Sequence, residues 1–315
     1  MKKRFLRCLV FFMIVVGFVF GVIESDRFSA ESSVAEFEIE ELAPAGESVI
    51  HLAALGDVRS GVGRQAKIAH LLDRVHQAVS LEGIILLGDN TPLWGSPSRS
   101  LRKTFTIPYA SLIGRGAQFF AILGNHDLRR GMKEHQLYFP QYNMNGRPYY
   151  SKVFGENLVE VFFLNSNGIE NDAPQIQWLE QALGQSNARW KVVAMHHPLY
   201  TAAKHHPADP VLTALLEPIL LEQGVTMVIS GHNHIYERLH PVKGITYLTA
   251  GSGGKLNKGD LKKNDPMLAG GNDQDNVVLV LEFSANSCRS LAYTADGKPV
   301  DEARIVPMLA VSTTQ

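Results

Sequence analysis

Two histidines separated by a single residue, His232 and His234, follow a short apolar run at 225–230. The run, VTMVIS, contains β-branched and apolar residues without polar alternation, which is typical of a buried strand. In an extended chain, residues i and i+2 project to the same side, so both imidazole rings can reach one point in space. A point that two imidazoles reach is a candidate metal site.

Four other apolar runs also end in residues that can bind a metal. The motifs are GD at 56–57, GDN at 88–90, GNHD at 124–127 and HHP at 196–198. Loops that follow strands at one edge of a sheet lie close together, and here they would gather six donors: Asp57, Asp89, Asn125, His196, His232 and His234. Oxygen and imidazole donors in this number fit two divalent metals about 3.5–4 Å apart, with a carboxylate bridging them. The glycines that begin four of the motifs let the backbone turn without a Cβ clash.

The chain that carries these motifs alternates apolar strands with helical patterns. Strands are predicted at 49–55, 83–87, 117–123, 158–164, 190–195 and 225–230. A helix after the first strand is indicated by apolar residues spaced three and four apart: Ile68, Leu71, Leu72, Val75 and Val79. Two more helices are predicted to begin at Asp172 and Asp209, the second kinked by Pro218 and ending near Gly224. This alternation predicts an α/β sandwich with functional loops at the carboxyl ends of the strands.

The C-terminal part of the chain has a different pattern. Apolar segments at 245–251, 276–283 and 288–300 predict antiparallel strands, with a hairpin turn at Asp296-Gly297. The folded domain is therefore expected to extend over 48–305, followed by a short tail at 306–315.

The N-terminus predicts export. Lys2, Lys3, Arg4 and Arg7 precede an apolar stretch at 8–23. Segment 1–23 is thus either a cleaved signal peptide or an uncleaved membrane anchor with its basic end in the cytoplasm. Both alternatives place the rest of the chain in the periplasm or outside the cell. Segment 24–47, rich in Glu, Ser and Ala, is predicted to be an acidic, disordered tether.

Composition restricts the partners and the metal chemistry. The formal net charge of −1 does not favour nucleic acid as a bulk partner. The two cysteines, Cys8 and Cys288, lie at opposite ends of the chain and form no cysteine-rich metal motif. A metal held only by His, Asp and Asn is more consistent with Fe, Mn or Zn than with thiolate chemistry. Nothing in the sequence indicates the oligomeric state.

The five motifs, in this order, resemble those of the calcineurin-like metallophosphoesterases, and within them the purple acid phosphatases. The family pattern GD…GDN…GNH(D/E)…VxxH…GHxH corresponds here to GDVRSG, LLGDNTPLWG, ILGNHD, VVAMHHPLY and GHNHIYER. The form GHxHxYER is particularly similar to the purple acid phosphatases. The resemblance implies a four-layer α/β/β/α sandwich, a centre of two divalent or mixed-valence metal ions, and hydrolysis of phosphate esters.

The resemblance also implies a role for each residue. A first metal site would contain Asp57 and His234, a second site would contain Asn125, His196 and His232, and Asp89 would bridge the two. The VxxH register selects His196 as the ligand rather than its neighbour His197. His126 would face the substrate phosphate without binding metal, oriented by Asp127.

This chain departs from the family pattern at two positions. Many members have a histidine two residues after the first aspartate, where this chain has Arg59, and purple acid phosphatases have a tyrosine where it has Pro92. The first site is therefore expected to lack a ligand and to bind its metal more weakly. Arg59 would either face the phosphate, as suits a planar cation with several donors, or lie on the surface.

The function implied is hydrolysis of a small phosphorylated substrate by a metal-bound hydroxide. His126 could protonate the leaving alcohol, since an imidazole can hold a proton near neutral pH. A phosphomonoester is the expected substrate. The sequence is also consistent with two alternatives: a phosphodiesterase acting on nucleotides or lipid headgroups, and a metal-poor binding protein with the same fold.

Two further segments are candidates for the rim of the site. Residues 204–206, Lys-His-His, follow the strand at 190–195 and could belong to a substrate rim or to a solvated loop. The glycine-rich segment at 251–257 lacks the full phosphate-loop pattern and is expected to shape the rim near the metals.

Overall fold

The structure, a computed structural model, describes residue 42 and residues 49–59, 63–91, 96–129 and 131–307. The predicted apolar segment at 1–23 lies outside these residues, as do Pro92 and the tail from 308 onward. Leu42 is the one described residue of the predicted tether at 24–47, and it is only 8 % exposed. The disordered tether stays a prediction.

The strands form two sheets whose order differs from their order in the chain. In the described part of the chain they are β1 (Val49–Leu55), β2 (Gly83–Leu86), β3 (Phe119–Ala121), β4 (Tyr150–Phe154), β5 (Val159–Phe163), β6 (Trp190–Met195), β7 (Met227–Ser230), β8 (Tyr236–Leu239), β9 (Thr246–Ala250), β10 (Leu268–Asn272), β11 (Val277–Ser284), β12 (Cys288–Thr294) and β13 (Pro299–Ile305). The first sheet has the order β13-β12-β11-β1-β2-β3, and the second has the order β10-β8-β9-β7-β6-β5-β4.

The strands that precede the polar motifs run parallel to their neighbours. In the first sheet β1 pairs parallel with β2, and β2 with β3. In the second sheet β5, β6, β7 and β9 are parallel in that order. The four residues of β2 and the four residues of β7 are all buried, as expected where both faces of a parallel sheet are covered. The strands predicted before each motif are confirmed.

The C-terminal strands agree with the prediction only in part. Strands β11, β12 and β13 are antiparallel, and Gly297 in the predicted turn has a φ of 83°. Strand β9, also expected to be antiparallel, runs parallel to β7 and antiparallel to β8. The reason is β8, which the sequence pattern did not predict. It reverses the chain after the GHNH motif, so the next reversal returns β9 beside β7 in the same direction.

Helices cover the outer faces of the two sheets. In the described residues they are α1 (Arg64–Val79), α2 (Pro97–Leu101), α3 (Ala110–Gly114), α4 (Met132–Leu137), α5 (Ala173–Gln185) and α6 (Pro210–Glu222), with a π-helical turn at Arg102–Thr106 and 3₁₀ turns at Pro140–Tyr142 and Ile169–Asn171. The side chains of Asp172 and Asp209 cap α5 and α6 by accepting hydrogen bonds from backbone N–H groups. None of these helices is both long and apolar enough to cross a membrane.

Aromatic contacts join the two sheets face to face. The Trp190 ring of β6 lies edge-on to Phe283 of β11, 5.4 Å between centroids, and its Nε1–H donates to the Ser284 carbonyl at 2.7 Å. The Tyr150 hydroxyl of β4 donates to the Ala121 carbonyl of β3 at 2.9 Å. Helices α5 and α6 share one apolar cluster with the outer face of the second sheet, and α1 contacts β11 of the first. The predicted α/β/β/α sandwich is confirmed.

The YER part of the last motif fastens one sheet to the other. Arg238 of β8 donates from Nε and Nη2 to Asp301 of β13, at 2.7 and 2.9 Å, and the Tyr236 hydroxyl donates to the same carboxylate at 2.8 Å. Glu237, between them, is buried and accepts hydrogen bonds from Thr201 and from the Ala202 backbone. Strand β8, which follows the two predicted ligand histidines, is therefore bonded to β13 and to the segment at 201–202.

Candidate metal centre

The loops after the parallel strands of both sheets meet at one end of the sandwich, and glycines allow them to approach. A Cβ on Gly124 would overlap the backbone nitrogen and Oδ1 of Asp89. A Cβ on Gly88, whose φ is +86°, would lie 2.6 Å from Nδ1 of His196. The glycines were expected to permit sharp turns, and Gly88 does so. At Gly124 a glycine is required because a Cβ would prevent the contact between the GNHD loop and the GDN loop.

Three of the predicted ligands have strained backbone conformations. Asp57, Asp89 and His232 have φ values of 57°, 54° and 68°, in the left-handed region that residues other than glycine rarely adopt. Hydrogen bonds hold them there: the Asp57 N–H donates to the Gly88 carbonyl at 3.0 Å, and the His232 N–H donates to Oδ2 of Asp57 at 2.8 Å. Strain that the surrounding structure maintains is typical of functional sites.

The predicted second site is assembled around His196. This buried ring lies with Nδ1 2.8 Å from the Leu87 carbonyl, which can only accept, so Nδ1 carries the proton and Nε2 is free to bind a metal. Nε2 lies 3.1 Å from Oδ1 of Asn125 and 3.7 Å from Oδ1 of Asp89. The His232 ring is beside it, with 5.1 Å between centroids. Donors that each lie about 2.1 Å from one ion, at right angles, are separated by about 3 Å, so the His196 and Asn125 atoms fit a single ion, with a donor atom of His232 within 4.8 Å of one on His196.

The predicted first site contains a carboxylate oxygen without a hydrogen bond. Oδ1 of Asp57 is buried and has no hydrogen-bond partner among the described residues. It lies 3.2 Å from Nε2 of His234, whose Nδ1 is 3.3 Å from Oδ1 of Asn257. A buried carboxylate oxygen facing an imidazole nitrogen is a reasonable pair of metal donors.

Arg59 enters the same space and is not a surface residue. Its side chain is 10 % exposed, and Nη1 lies 2.9 Å from Oδ2 of Asp89, the carboxylate expected to bridge two metals. The first site is thus left with Asp57, His234 and an Asp89 oxygen that is already paired with a cation. The donor atoms of Asp57, Asp89 and His196 lie within 4.8 Å of one another, as do those of His196, His197 and His232. Because Arg59 occupies part of the first site, the two-metal centre stays a prediction.

His126 lies at the open side of the centre. Its backbone N–H donates to Oδ1 of Asp89 at 2.9 Å, and its Nε2 is 3.8 Å from Oδ2 of the same residue. The side chain is 21 % exposed, and Nδ1 has no hydrogen-bond partner among the described residues. A partly exposed imidazole beside the donors is placed to meet a bound substrate.

Asp127, expected to orient His126, forms its hydrogen bonds with the backbone and side chains of the two loops. Both Asp127 oxygens accept hydrogen bonds from the Asn90 N–H at 3.1 Å, Oδ2 also accepts from the Gly124 N–H at 2.9 Å, and Oδ1 from the Thr91 hydroxyl at 3.0 Å. These contacts tie the GDN loop to the GNHD loop. Asp127 therefore positions the backbone that carries His126, because its oxygens are occupied by the two loops.

The pKa shifts differ among the predicted ligands: those of Asp89 and His232 are lowered, whereas burial of His234 is outweighed by its contact with Asp57, which raises its pKa. Burial alone would raise the pKa of Asp89, but His196 and Arg59 beside it hold that pKa below its usual range. Burial, together with the neighbouring His196, lowers the pKa of His232 to about 2, and the same two causes lower the pKa of His197 to about 4. An ionised carboxylate and neutral imidazoles are the protonation states that metal binding requires.

Two histidines that the motif assignment set aside also line the centre. The His197 ring lies 4.6 Å from the His232 ring, between centroids, with Nδ1 2.9 Å from the Ser166 hydroxyl oxygen. The His206 ring lies 4.8 Å from His232, while Nδ1 of His205 pairs with Asp260 at 2.5 Å. The loop at 204–206 is therefore part of the rim. The repeated His-His pairs were the available signal, but spacing alone could not show which ring lies beside His232.

The glycine-rich segment at 251–257 packs beneath the first site. The Lys255 N–H donates to the Asp57 carbonyl at 3.0 Å, and the Asn257 N–H donates to the His234 carbonyl at 3.0 Å. A Cβ on Gly251 would overlap the Asn233 carbonyl oxygen. The segment supports the backbone of both predicted ligands, which agrees with the expected position near the metals.

Comparisons with known proteins agree with this geometry. A family model described as calcineurin-like phosphoesterase matches residues 50–236. Purple acid phosphatase 17 of Arabidopsis thaliana is 28% identical over 231 residues, covering 64% of this chain and 68% of that protein. Tartrate-resistant acid phosphatase type 5 of Mus musculus is 25% identical over 218 residues, covering 60% and 66%.

Two solved structures show the same fold. GAP50, the anchor in the inner membrane complex of Plasmodium, superposes with a TM-score of 0.70 at 18% identity, covering 83% of this chain and 90% of that one. A purple acid phosphatase from yellow lupin seeds superposes with a TM-score of 0.64 at 14% identity, covering 84% and 55%. At these identities the likeness establishes the fold alone.

The contact between Gly124 and Asp89 yields a test of the centre. Gly124→Ala is expected to displace Asp89 and weaken Mn²⁺ binding about 10- to 100-fold, the usual effect of disturbing the groups that orient ligands. Gly114→Ala is the matched control, because its Cβ would enter open space. Isothermal titration with Mn²⁺ measures both, and circular dichroism verifies folding. A folded Gly124→Ala protein that binds Mn²⁺ as tightly as the parent would contradict the assignment.

Proposed function

The chain belongs to the calcineurin-like phosphoesterase family, and from that premise we propose that it is a metal-dependent hydrolase of phosphomonoesters. The observation that carries the proposal is the convergence of six polar residues, Asp89 among them, from five strand ends, with Arg59 and His126 beside Asp89. The relatives named acid phosphatases favour a monoester as the substrate. A small phosphorylated molecule is the proposed substrate class.

The donors around His196 are the proposed metal ligands. Asp89, Asn125, His196 and His232 would hold a divalent Fe, Mn or Zn ion. When bound, such an ion lowers the pKa of a coordinated water and neutralises negative charge on a phosphate. Two ions remain the family-based expectation, with Asp57 and His234 as further ligands.

The chain's own residues would bind the phosphate and supply a proton. The Arg59 guanidinium presents several N–H donors in one plane, a geometry that matches phosphate oxygens. Nε2 of His126 lies 3.8 Å from Oδ2 of Asp89, and the His126 side chain is the more exposed of the two, so it would give a proton to the leaving alcohol. Asp127 would contribute indirectly, because it fixes the loop that presents His126. No covalent phospho-enzyme is required.

The activity and the role of His126 are tested together. The purified chain, loaded with Mn²⁺, Fe²⁺ or Zn²⁺, is expected to hydrolyse aryl phosphate monoesters. His126→Ala is expected to lower kcat about 10²–10⁴-fold, the usual size of a general-acid effect, with metal content unchanged. Asp89→Asn is expected to lose metal. The matched control is His70→Ala, an exposed position on α1 outside the site.

Each outcome separates the alternatives. Metal content is measured by mass spectrometry, and rates are measured with aryl phosphate mono- and diesters. Faster hydrolysis of the diester would replace the monoesterase with a phosphodiesterase. A protein that binds no metal and hydrolyses neither ester would be a binding protein on this fold. Loss of metal in His126→Ala would make the residue a ligand.

We also propose that the folded domain functions outside the cytoplasm. The support is the basic cluster of Lys2, Lys3, Arg4 and Arg7 before the apolar stretch at 8–23. Positive residues of this kind remain on the cytoplasmic side of a membrane. Whether the stretch is cleaved or retained as an anchor, the domain that follows would be translocated.

Protease accessibility tests the topology. In spheroplasts of a bacterium that expresses the full chain, added protease is expected to reach the acidic segment at 24–47. A cytoplasmic marker protein serves as the control for intact cells. If the chain becomes sensitive only after lysis, as the marker does, export is wrong.

A further inference from the structure

Arg59 is the one arginine whose nitrogen contacts a predicted metal ligand within the described residues. It lies two residues after Asp57, in the loop that follows β1. Its Nη1 approaches Oδ2 of Asp89 at 2.9 Å, and its side chain is nine-tenths buried. A guanidinium does not lose its proton in proteins, so this position carries a fixed positive charge.

Some N–H groups of the Arg59 side chain have no aligned acceptor among the described residues. Arg59 Nε and Nη1 are buried and form no aligned hydrogen bond with the described residues, although Nη1 is within ion-pair distance of Asp89. Buried N–H groups without acceptors are costly unless a ligand completes them. An anion with several oxygens, such as a phosphate group, would satisfy these donors.

The space that Arg59 enters is the space of the first site. That site is bounded by Oδ1 of Asp57, Nε2 of His234 and Oδ2 of Asp89. The Arg59 guanidinium borders this region through its contact with Oδ2 of Asp89. A divalent ion placed there would face a fixed cation and would compete with it for Asp89.

An ion in the second site would not compete with Arg59 for the same Asp89 oxygen. Nε2 of His196 and Oδ1 of Asn125 are 3.1 Å apart, and the nearby Asp89 atom is Oδ1, the oxygen that Arg59 does not contact most closely. The ring of His232 completes the cluster. One carboxylate thus serves an ion site with one oxygen and an arginine with the other.

We propose that Arg59 takes the place of one metal ion, so that the chain binds a single divalent ion at Asn125, His196 and His232. Arg59 neutralises Asp89 on the other side and binds a phosphate oxygen of the substrate. This inference rests on the proposed function and changes its cofactor from two ions to one ion and an arginine.

Metal stoichiometry tests the replacement directly. The full chain is stripped with a chelator and titrated with Mn²⁺, with bound metal counted by mass spectrometry. The parent is expected to bind one ion. Arg59→His is expected to bind two, because it frees Asp89 and adds an imidazole beside Asp57 and His234. The matched control is Arg304→His, which changes an exposed arginine on β13 and should leave one ion bound.

Inhibition by inorganic phosphate is the second measurement. Arg59→Ala is expected to raise the inhibition constant of phosphate about tenfold or more, the effect of losing a charge-assisted contact. Arg304→Ala should leave it unchanged. Arg59→Lys, which keeps the charge, is expected to retain one bound ion, and this variant serves if Arg59→His does not fold.

The outcomes distinguish this inference from the proposed function. Two ions bound to the parent with affinities within tenfold of each other would overturn the replacement while leaving the phosphoesterase intact. No ion bound to the parent would overturn both. One ion in the parent and still one in a folded Arg59→His would show that Arg59 does not occupy the first site.

Discussion

The close approach of the Gly124 backbone to Asp89 sets the geometry of the centre. Because no Cβ separates the two loops, the Asp89 carboxylate can accept the His126 N–H at 2.9 Å while remaining 3.7 Å from Nε2 of His196. The loop after β3 of the first sheet and the loop after β6 of the second sheet thereby meet at the Asp89 carboxylate. Asn125 and His126 extend from the same contact, so donor and proposed proton source are fixed relative to each other.

Burial of charge is the second constraint. Asp57, Asp89 and Asp127 are all essentially inaccessible to water, and an isolated buried carboxylate is strongly disfavoured. Each is compensated differently. Asp127 accepts hydrogen bonds from two loops and stabilises the backbone, Asp89 pairs with Arg59, and Asp57 keeps one oxygen without a hydrogen bond. That Asp57 oxygen lies 3.2 Å from Nε2 of His234, so its nearest polar neighbour is an imidazole.

Much of this arrangement follows from the sequence, because strands buried on both faces give unmistakable apolar runs. The runs before Asp57 and His232 ended at the polar residues as expected, and the parallel pairing brought their loops together. Strand β8 was missed because its buried residues include Glu237, whose partners come from distant loops. The role of Asp127 and the pairing of Arg59 with Asp89 depend on contacts between separate loops, which no local pattern records. The same holds for His206, where only the folded chain shows which of two adjacent rings lies beside His232.

Anomalous X-ray diffraction from crystals of the full chain grown with Mn²⁺ tests the central claim most directly, since it locates each ion relative to its ligands. The predicted result is one anomalous peak bounded by Asp89, Asn125, His196 and His232, with the Arg59 guanidinium still against Asp89. Two peaks, one of them between Asp57 and His234, would contradict the replacement of an ion by Arg59. The absence of any peak among these residues, with Mn²⁺ in excess, would contradict the metal centre itself.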